Sequence, residues 1–175
     1  MGSVHGRFQP FHNGHLDYVL QAFGRADFLL VGLTQIMQPE AKPETTGRDS
    51  ATSNPLTFLE RSELVEAALL AADIRRDRFR ITPFPIEQPH LLREFIPQGS
   101  VCFTTPVNEW NDEKVKRLKE HGFQPELLDL SRPDNVRVTS GTEIRRLLRA
   151  NDPSWARFVP AAVAEIISDR LRDQF

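Results

Sequence analysis

The chain has 175 residues and a formal net charge of −2 at pH 7; 39% of its residues are hydrophobic and 26% are charged. This size and composition predict one globular domain spanning residues 1–175 and exclude long disordered regions. The weak negative charge predicts no general affinity for nucleic acid or for an anionic membrane.

Short apolar strands alternate with helical patterns from the start of the chain. Residues 4–6 read as a strand, residues 14–23 as a helix and residues 28–33 as a strand buried on both faces. The polar stretch 35–54 is too long for an ordinary connection, so we expect a mobile or functional loop there. Thr57 and Glu60 then form a capping box that opens the next helix.

The second half of the chain continues this alternation. We predict strands at 79–84, 101–104 and 127–130, and helices at 112–120 and 160–171. Cys102 is the only cysteine, which excludes an intramolecular disulfide and a cysteine-based zinc cage and favours a reducing, cytoplasmic setting. Ser140 and Glu143 form a second capping box before a further helix. The whole pattern predicts an α/β fold with a mainly parallel sheet.

The segment that carries chemistry lies between the first strand and the first helix, where residues 6–15 read GRFQPFHNGH. His12 and His15 lie three residues apart across the turn into the helix, and Gly14 allows close approach of the backbone to a ligand. A helix N-terminus offers unpaired N–H groups and partial positive charge, which suit phosphate. With Arg7 nearby as a permanent charge, both histidines are predicted to donate hydrogen bonds to phosphate oxygens.

Other interpretations of these residues stay open at this point. The His-x-x-His spacing also occurs in metal sites, although no cysteine or acidic cluster supplies further ligands here. Two histidines at a turn are also commonly structural. The Ser140 box alone is an ordinary helix start, and Arg61 in a first helical turn is commonly a solvated charge.

Residues 6–15 resemble the signature of the HxGH nucleotidyltransferase superfamily and match most closely its archaeal-type nicotinamide mononucleotide adenylyltransferases. Further matches cover nearly the whole chain: FLER at 58–61, FPIE at 84–87, SGTEIRR at 140–146, and a Trp followed by a Val-Pro-x-x-Val helix at 155–163. The resemblance implies a Rossmann-like, doubly wound, mainly parallel five-stranded sheet with helices on both faces. It also implies transfer of a nucleoside monophosphate from a nucleoside triphosphate, CTP or ATP, to a phosphate-type oxygen, with release of pyrophosphate.

The resemblance also implies roles for individual residues. The implied catalytic residues are His12, His15 and Arg61. The implied phosphate-binding residues are Gly6, Arg7, Phe8, Gly14, Ser140, Thr142 and Arg145. Candidates for contact with the base or ribose are Thr104, Asn108 and Trp110. Mg²⁺ is expected as a cofactor held mainly by the triphosphate and not by side chains.

Departures from the family pattern concern the acceptor. Where archaeal-type adenylyltransferases carry a Trp that stacks on nicotinamide, this chain has Leu91 and Leu92. A family Ser-Gly-Asn phrase is replaced at 103–110, and the loop before residue 55 is longer. The phosphonate cytidylyltransferases of antibiotic pathways share the signatures and join CMP to a small, charged phosphonate, which needs Arg and backbone donors and no aromatic platform.

We therefore predict a cytidylyltransferase that uses CTP and a small phosphonate or phosphate acceptor, with Leu91 and Leu92 near that acceptor. An adenylyltransferase that joins ATP and nicotinamide mononucleotide into NAD is the alternative. A third reading, from another class, is a nucleotide-binding sensor without turnover. The sequence is also compatible with a homo-oligomer, and it predicts neither a nucleic-acid nor a membrane partner.

Overall fold

The computed structural model describes residues 1–38, 50–105, 109–128 and 140–175, with side chains for all of these except residues 109–111. Contacts divide the chain into two compact units. The first consists of Met1–Gly6, Asp17–Ile36 and Arg75–Val136, and the second of Arg7–Leu16, Met37–Ile74 and Arg137–Phe175. Each unit is thus assembled from three separate stretches of chain. The single domain over residues 1–175 stays a prediction.

The first unit holds a five-stranded parallel sheet in the order β3-β2-β1-β4-β5. Its strands are β1 Gly2–Gly6, β2 Leu29–Leu33, β3 Phe79–Pro83, β4 Val101–Thr104 and β5 Gln124–Leu127. Every residue of β2 is buried, as a continuous apolar run in a parallel sheet requires. The chain builds outward from β1 to β3 and then returns to the other side of β1, so the topological switch point lies between β1 and β4. The predicted five-stranded α/β sheet is confirmed.

Two helices accompany the sheet in the chain. Helix α1, Asn13–Phe23, follows β1, and the later helix Glu109–Glu120 lies between β4 and β5. Leu118 of this later helix packs with Leu30, Phe84 and Cys102 in an apolar cluster. Burial raises the pKa of the Cys102 thiol to about 11, so it stays protonated at neutral pH.

The second unit is helical. Helix α2 of this unit is Phe58–Ala71. The helix Glu109–Glu120 of the sheet unit is numbered α3. The other described helices of the second unit are α4, Gly141–Arg149, and α5, Ala161–Ile166. A π-helical stretch, Ile167–Leu171, continues α5. The predicted capping box of α2 is confirmed, because the Thr57 hydroxyl accepts from the Glu60 N–H while the Glu60 carboxylate accepts from the Thr57 N–H at 2.7 Å. Over the described ranges, no helix combines the length and the apolar character needed to cross a membrane.

Two local predictions are wrong in detail. The strand predicted at 127–130 begins at Gln124, because Gly122 in a left-handed conformation (φ 81°) follows the end of α3 at Glu120 and starts the chain toward β5. Residues 129 and 130 of that prediction lie outside the described residues. At α4, the Ser140 hydroxyl accepts from the Glu143 N–H at 3.2 Å, which is one half of a capping box. The other half would need the Glu143 carboxylate to accept from the Ser140 N–H, but that carboxylate instead accepts two hydrogen bonds from Arg146 in an ion pair. Of the predicted loop 35–54, residues 39–49 lie outside the described residues.

Candidate nucleotide-phosphate site

The loop between β1 and α1 is fixed by the side chain of Gln9, which is 4% exposed. Its amide nitrogen donates to the Leu56 carbonyl at 2.8 Å, and its amide oxygen accepts from the Leu56 N–H at 3.0 Å. Leu56 is fully buried and directly precedes the cap of α2. One side chain therefore satisfies both backbone groups of a buried residue and ties the loop to the start of α2.

Two buried arginines hold the same loop by its carbonyl groups. Arg61 of α2 is 1% exposed and donates to the Arg7 carbonyl at 2.9 Å. Arg145 of α4 is 4% exposed and donates to the Gln9 carbonyl at 2.6 Å. Burial, followed by the nearby charge of Arg149, lowers the pKa of Arg145 to about 10, which leaves it charged at neutral pH. Burial also excludes the reading of Arg61 as a solvated surface charge.

The two histidines of the motif brace each other. Their rings stack with centroids 3.5 Å apart, and the backbone N–H of each donates to Nδ1 of the other at 3.3 Å. Because both Nδ1 atoms accept, either ring, when neutral, carries its proton on Nε2. Burial first, then the charges of His12 and Arg7, hold the pKa of His15 well below its usual value. His15 is thus a neutral ring with Nε2–H as its donor.

Stability is expected to fall as the pH drops below about 6.5. Burial lowers the pKa of His15, and in the other unit burial, then the charge of Lys114, lowers that of His5. Below pH 6.5 both histidines bind a proton in the unfolded chain but not in the folded protein. Each therefore lowers the free energy of unfolding by up to about 1.4 kcal/mol per pH unit until its folded-state pKa is reached. Urea unfolding at pH 7.5 and 5.5 measures this loss. His5→Phe is expected to reduce it, and an undiminished loss in that variant contradicts the contribution of His5.

Small residues and aromatic rings shape the surroundings of the histidines. A Cβ atom at Gly14 would lie 3.3 Å from the His12 ring, so this glycine leaves room for the stacked pair. Phe8 and Phe11 pack against the His15 ring with centroids 4.9 and 5.7 Å away. These contacts hold the His15 ring in one orientation and contribute to its desolvation.

The start of α4 meets the same loop. A Cβ atom at Gly141 would lie 2.8 Å from the Gln9 carbonyl oxygen, so only glycine fits this approach. Thr142 accepts a hydrogen bond from Arg145 at 3.3 Å, and Ser140 caps the helix. The backbone N–H groups of the first turn of α4 therefore belong to the same compact unit as the histidine pair.

Replacing Gln9 with methionine is expected to lower the free energy of unfolding by about 2 kcal/mol. The substitution keeps the length of the side chain but strips the buried Leu56 N–H and carbonyl of their partners. Urea unfolding measures the change. Gln88→Met, at an exposed position, is the matched control with an expected change of less than about 0.5 kcal/mol. Equal destabilisation in the two variants contradicts the tie between Gln9 and α2.

The structure gathers most of the predicted phosphate-binding residues in the second unit. These are Arg7, Phe8, His12, Gly14, His15, Arg61, Ser140, Thr142 and Arg145. Gly6 is the last residue of β1 in the first unit. Also in the first unit are Thr104, which ends β4 fully buried, and the acceptor candidates Leu91 and Leu92. Asn108 and the side chain of Trp110 lie outside the described residues.

Sequence reasoning missed three residues that build this site. Gln9 and Gly141 lie inside the two motifs, so motif membership was the available signal. Asn54, 2% exposed, accepts from Arg7 at 3.4 Å and donates to the Ser50 carbonyl at 2.9 Å. Nothing in the local sequence distinguished Asn54 from the other polar residues of its loop.

The fold and this donor-lined loop are those expected of a nucleotidyltransferase, and comparisons with known proteins identify the family. Residues 4–147 match the model of the cytidylyltransferase-like family. A phosphonoformate cytidylyltransferase of Streptomyces viridochromogenes is 38% identical over 96% of this chain and 90% of that protein. A nicotinamide-nucleotide adenylyltransferase of Archaeoglobus fulgidus is 31% identical over 96% of this chain and 93% of that protein. The chain belongs to the cytidylyltransferase-like family, which confirms the resemblance read from its motifs.

Solved structures confirm the fold. A bifunctional NMN adenylyltransferase/ADP ribose pyrophosphatase from Francisella tularensis matches 98% of this chain with a TM-score of 0.68 and 17% identity. The chain spans about half of that protein, 51% of its length. A second structure of the same protein, complexed with AMP and a manganese ion, matches with the same score. Together with the switch point beside β1, this likeness confirms the predicted Rossmann-like, doubly wound sheet.

Proposed function

We propose that this chain transfers CMP from CTP to a small phosphonate or phosphate acceptor and releases pyrophosphate. The observation that carries the proposal is the set of phosphate donors around one loop of one compact unit: His12, His15, Arg7 and the N-terminus of α4. Such charge-assisted and backbone donors suit a polyphosphate tail. The 38% identity to a phosphonoformate cytidylyltransferase supports CTP and a phosphonate as the substrates.

In the proposed reaction an acceptor oxygen attacks the α-phosphorus of CTP. The bond from that phosphorus to the oxygen bridging the β-phosphate breaks, and its electron pair leaves with pyrophosphate. Negative charge therefore grows on the leaving group, where the Nε2–H groups of His12 and His15 and the Arg7 guanidinium donate hydrogen bonds. The acceptor is itself the nucleophile, so catalysis rests on positioning and on stabilising charge.

The remaining motif residues are proposed to bind phosphate or to hold the loop that binds it. Ser140, Thr142 and the backbone at the start of α4 bind the β- and γ-phosphates, while Gly6, Phe8 and Gly14 contribute backbone at the loop. Arg61 and Arg145 add positive potential and hold the loop through the carbonyl groups of Arg7 and Gln9. Direct contact of these two arginines with phosphate stays part of the proposal.

Magnesium enters this proposal only with the nucleotide. Within the ranges that the structure describes, no three His, Cys, Asp or Glu residues are grouped to hold a metal ion. The donors at the loop are imidazole and guanidinium groups, which do not fit Mg²⁺, since this cation prefers oxygen ligands. Mg²⁺ bound to the triphosphate would neutralise part of its charge, while the side chains described here would donate hydrogen bonds to its phosphate oxygens.

The acceptor and base contacts are assigned as follows. Leu91 lies half-buried in the 3-10 helix Pro89–Glu94, whereas Leu92 is fully buried in the apolar cluster with Phe84. We therefore place Leu91 at the acceptor and leave Leu92 to the core. Thr104, Asn108 and Trp110 stay the proposed contacts of the base and ribose. The proposal includes a cytoplasmic setting, in keeping with the buried, protonated thiol of Cys102.

The second candidate is transfer of AMP from ATP to nicotinamide mononucleotide. Its support is the 28% identity to the nicotinamide-nucleotide adenylyltransferase of Thermococcus kodakarensis, which covers 94% of this chain and 80% of that protein. Against it stands leucine at positions 91 and 92, because a flat cationic ring gains from an aromatic platform.

Pyrophosphate release tests the two candidates. The full chain is incubated with Mg²⁺ and each of CTP and ATP, paired with phosphonoformate, other small phosphonates or nicotinamide mononucleotide. Release with CTP and a phosphonate is expected. Preference for ATP with nicotinamide mononucleotide would establish the second candidate. CTP binding without turnover on any acceptor would instead indicate a nucleotide-binding sensor.

A further inference from the structure

At the topological switch point, β1 and β4 part early. Their register covers two residue pairs, the second of which is Ser3 with Cys102. Beyond that pair, the Tyr18 hydroxyl lies between the strands, accepting from the His5 N–H at 3.3 Å and donating to the Phe103 carbonyl. A side-chain hydroxyl thus stands where a ladder hydrogen bond would be, and it keeps the carboxyl ends of β1 and β4 apart. In open parallel sheets such a crevice is where ligands bind.

The side chain of His5 at this crevice is 5% exposed. Among the residues that the structure describes, neither of its ring nitrogens has a hydrogen-bond partner. The ring stacks on Phe84 with centroids 4.2 Å apart and an interplanar angle of 5°. Lys114 of α3 lies near enough for its charge to lower the pKa of His5 further than burial does alone. The site therefore combines an unused donor and acceptor with a positive charge.

Core packing does not explain a histidine at this position. Phenylalanine would keep the stack on Phe84 and remove two unsatisfied polar atoms, so His5 costs stability that an apolar ring would not. The neighbouring polar side chain on β1 shows the usual solution, since the Ser3 hydroxyl donates to Cys102. Residues that break such rules without structural gain cluster at functional sites.

We propose that the ring N–H of His5 donates a hydrogen bond to an anionic oxygen of the acceptor, and that His5 thereby selects acceptors carrying a phosphonate, phosphate or carboxylate group. This inference rests on the proposed nucleotidyl transfer and names the group that recognises its second substrate. The positive charge of Lys114 favours an anion there.

The test uses the full chain with its histidines isotopically labelled, and the ring signals of His5 are assigned by their loss in His5→Phe. Cytidine α,β-methylene triphosphate first occupies the nucleotide site without turnover, and phosphonoformate or inorganic phosphate is then added. The His5 signals are expected to shift with either anion.

In steady-state assays, His5→Phe is expected to raise KM for phosphonoformate about tenfold or more with an unchanged Kd for CTP, because the variant loses a hydrogen bond to a charged group of the acceptor. His90→Phe, at an exposed position, is the matched control and is expected to change neither.

The outcomes separate this inference from the proposed function. Turnover of phosphonoformate with no His5 shift and an unchanged KM overturns the role of His5 and leaves the transferase intact. A His5 shift without CMP transfer to any acceptor keeps His5 as an anion ligand and overturns the proposed function. If the His5 signals do not shift and no CMP transfer is detected, both the role of His5 and the proposed function are overturned.

Discussion

Replacing His15 with alanine is expected to lower kcat for nucleotidyl transfer by about 100- to 1,000-fold, which is the usual effect of losing one donor to a transition-state oxyanion. The His15 Nε2–H is a preorganised donor, because its ring is stacked on His12 and its Nδ1 accepts from the His12 N–H. The loss is expected in kcat more than in the Kd for CTP, since charge on the leaving pyrophosphate grows in the transition state.

Pyrophosphate release at saturating substrates measures this change. His90→Ala removes an exposed histidine and is expected to stay within about twofold of the parent protein. Because Phe8 and Phe11 pack against the His15 ring, urea unfolding of His15→Ala must accompany the assay. A folded His15→Ala protein with undiminished kcat would remove His15 from the catalytic set.

Replacing Arg145 with methionine is expected to lower the free energy of unfolding by about 3 kcal/mol and to reduce transfer activity with it. Methionine keeps much of the buried volume but loses the bonds to the Gln9 carbonyl and the Thr142 hydroxyl. The Gln9 carbonyl is then left without the charged donor that holds it. The motif loop loses its attachment to α4, so its donors no longer meet the triphosphate in a fixed geometry.

The neighbouring Arg146 offers a matched control on the same helix. Its side chain is 63% exposed and pairs with Glu143 in solvent, so Arg146→Met is expected to lower the free energy of unfolding far less than Arg145→Met does. Urea unfolding of both variants makes the comparison. Equal stability of the Arg145 and Arg146 variants would show that the buried contact to Gln9 does not hold the loop.

Much of the fold was predictable because local signals agreed with tertiary structure. The apolar run of β2 and the capping box at Thr57 each specify one conformation, and both appear as predicted. The start of β5 was not predictable from Leu127 and Leu128, because pairing with β4 and the left-handed turn at Gly122 set it. Glu143 was misassigned because Arg146, one turn away, competes for its carboxylate.

The candidate site divides in the same way. The motif spacing indicated the histidines and the start of α4, since residue types that bind phosphate are recognisable in sequence. What the motif could not indicate is that Arg61 and Arg145 are buried and donate to loop carbonyls. The role of Asn54 was equally hidden, because its partner Arg7 is 47 residues away in the chain. His5 carries no motif, and only its unsatisfied ring in the folded protein singles it out.

The contact between Arg145 and the Gln9 carbonyl joins residues 136 positions apart. During synthesis the motif loop leaves the ribosome long before Arg145. A nascent chain that ends before α4 therefore contains the two histidines but lacks the hydrogen bond from Arg145 that holds their loop. Closing so distant a contact is an entropically costly, late step. We therefore expect nucleotide binding to be acquired only after α4 has been synthesised. Under the proposed function, binding of CTP to translation products of increasing length would report when the loop becomes ordered.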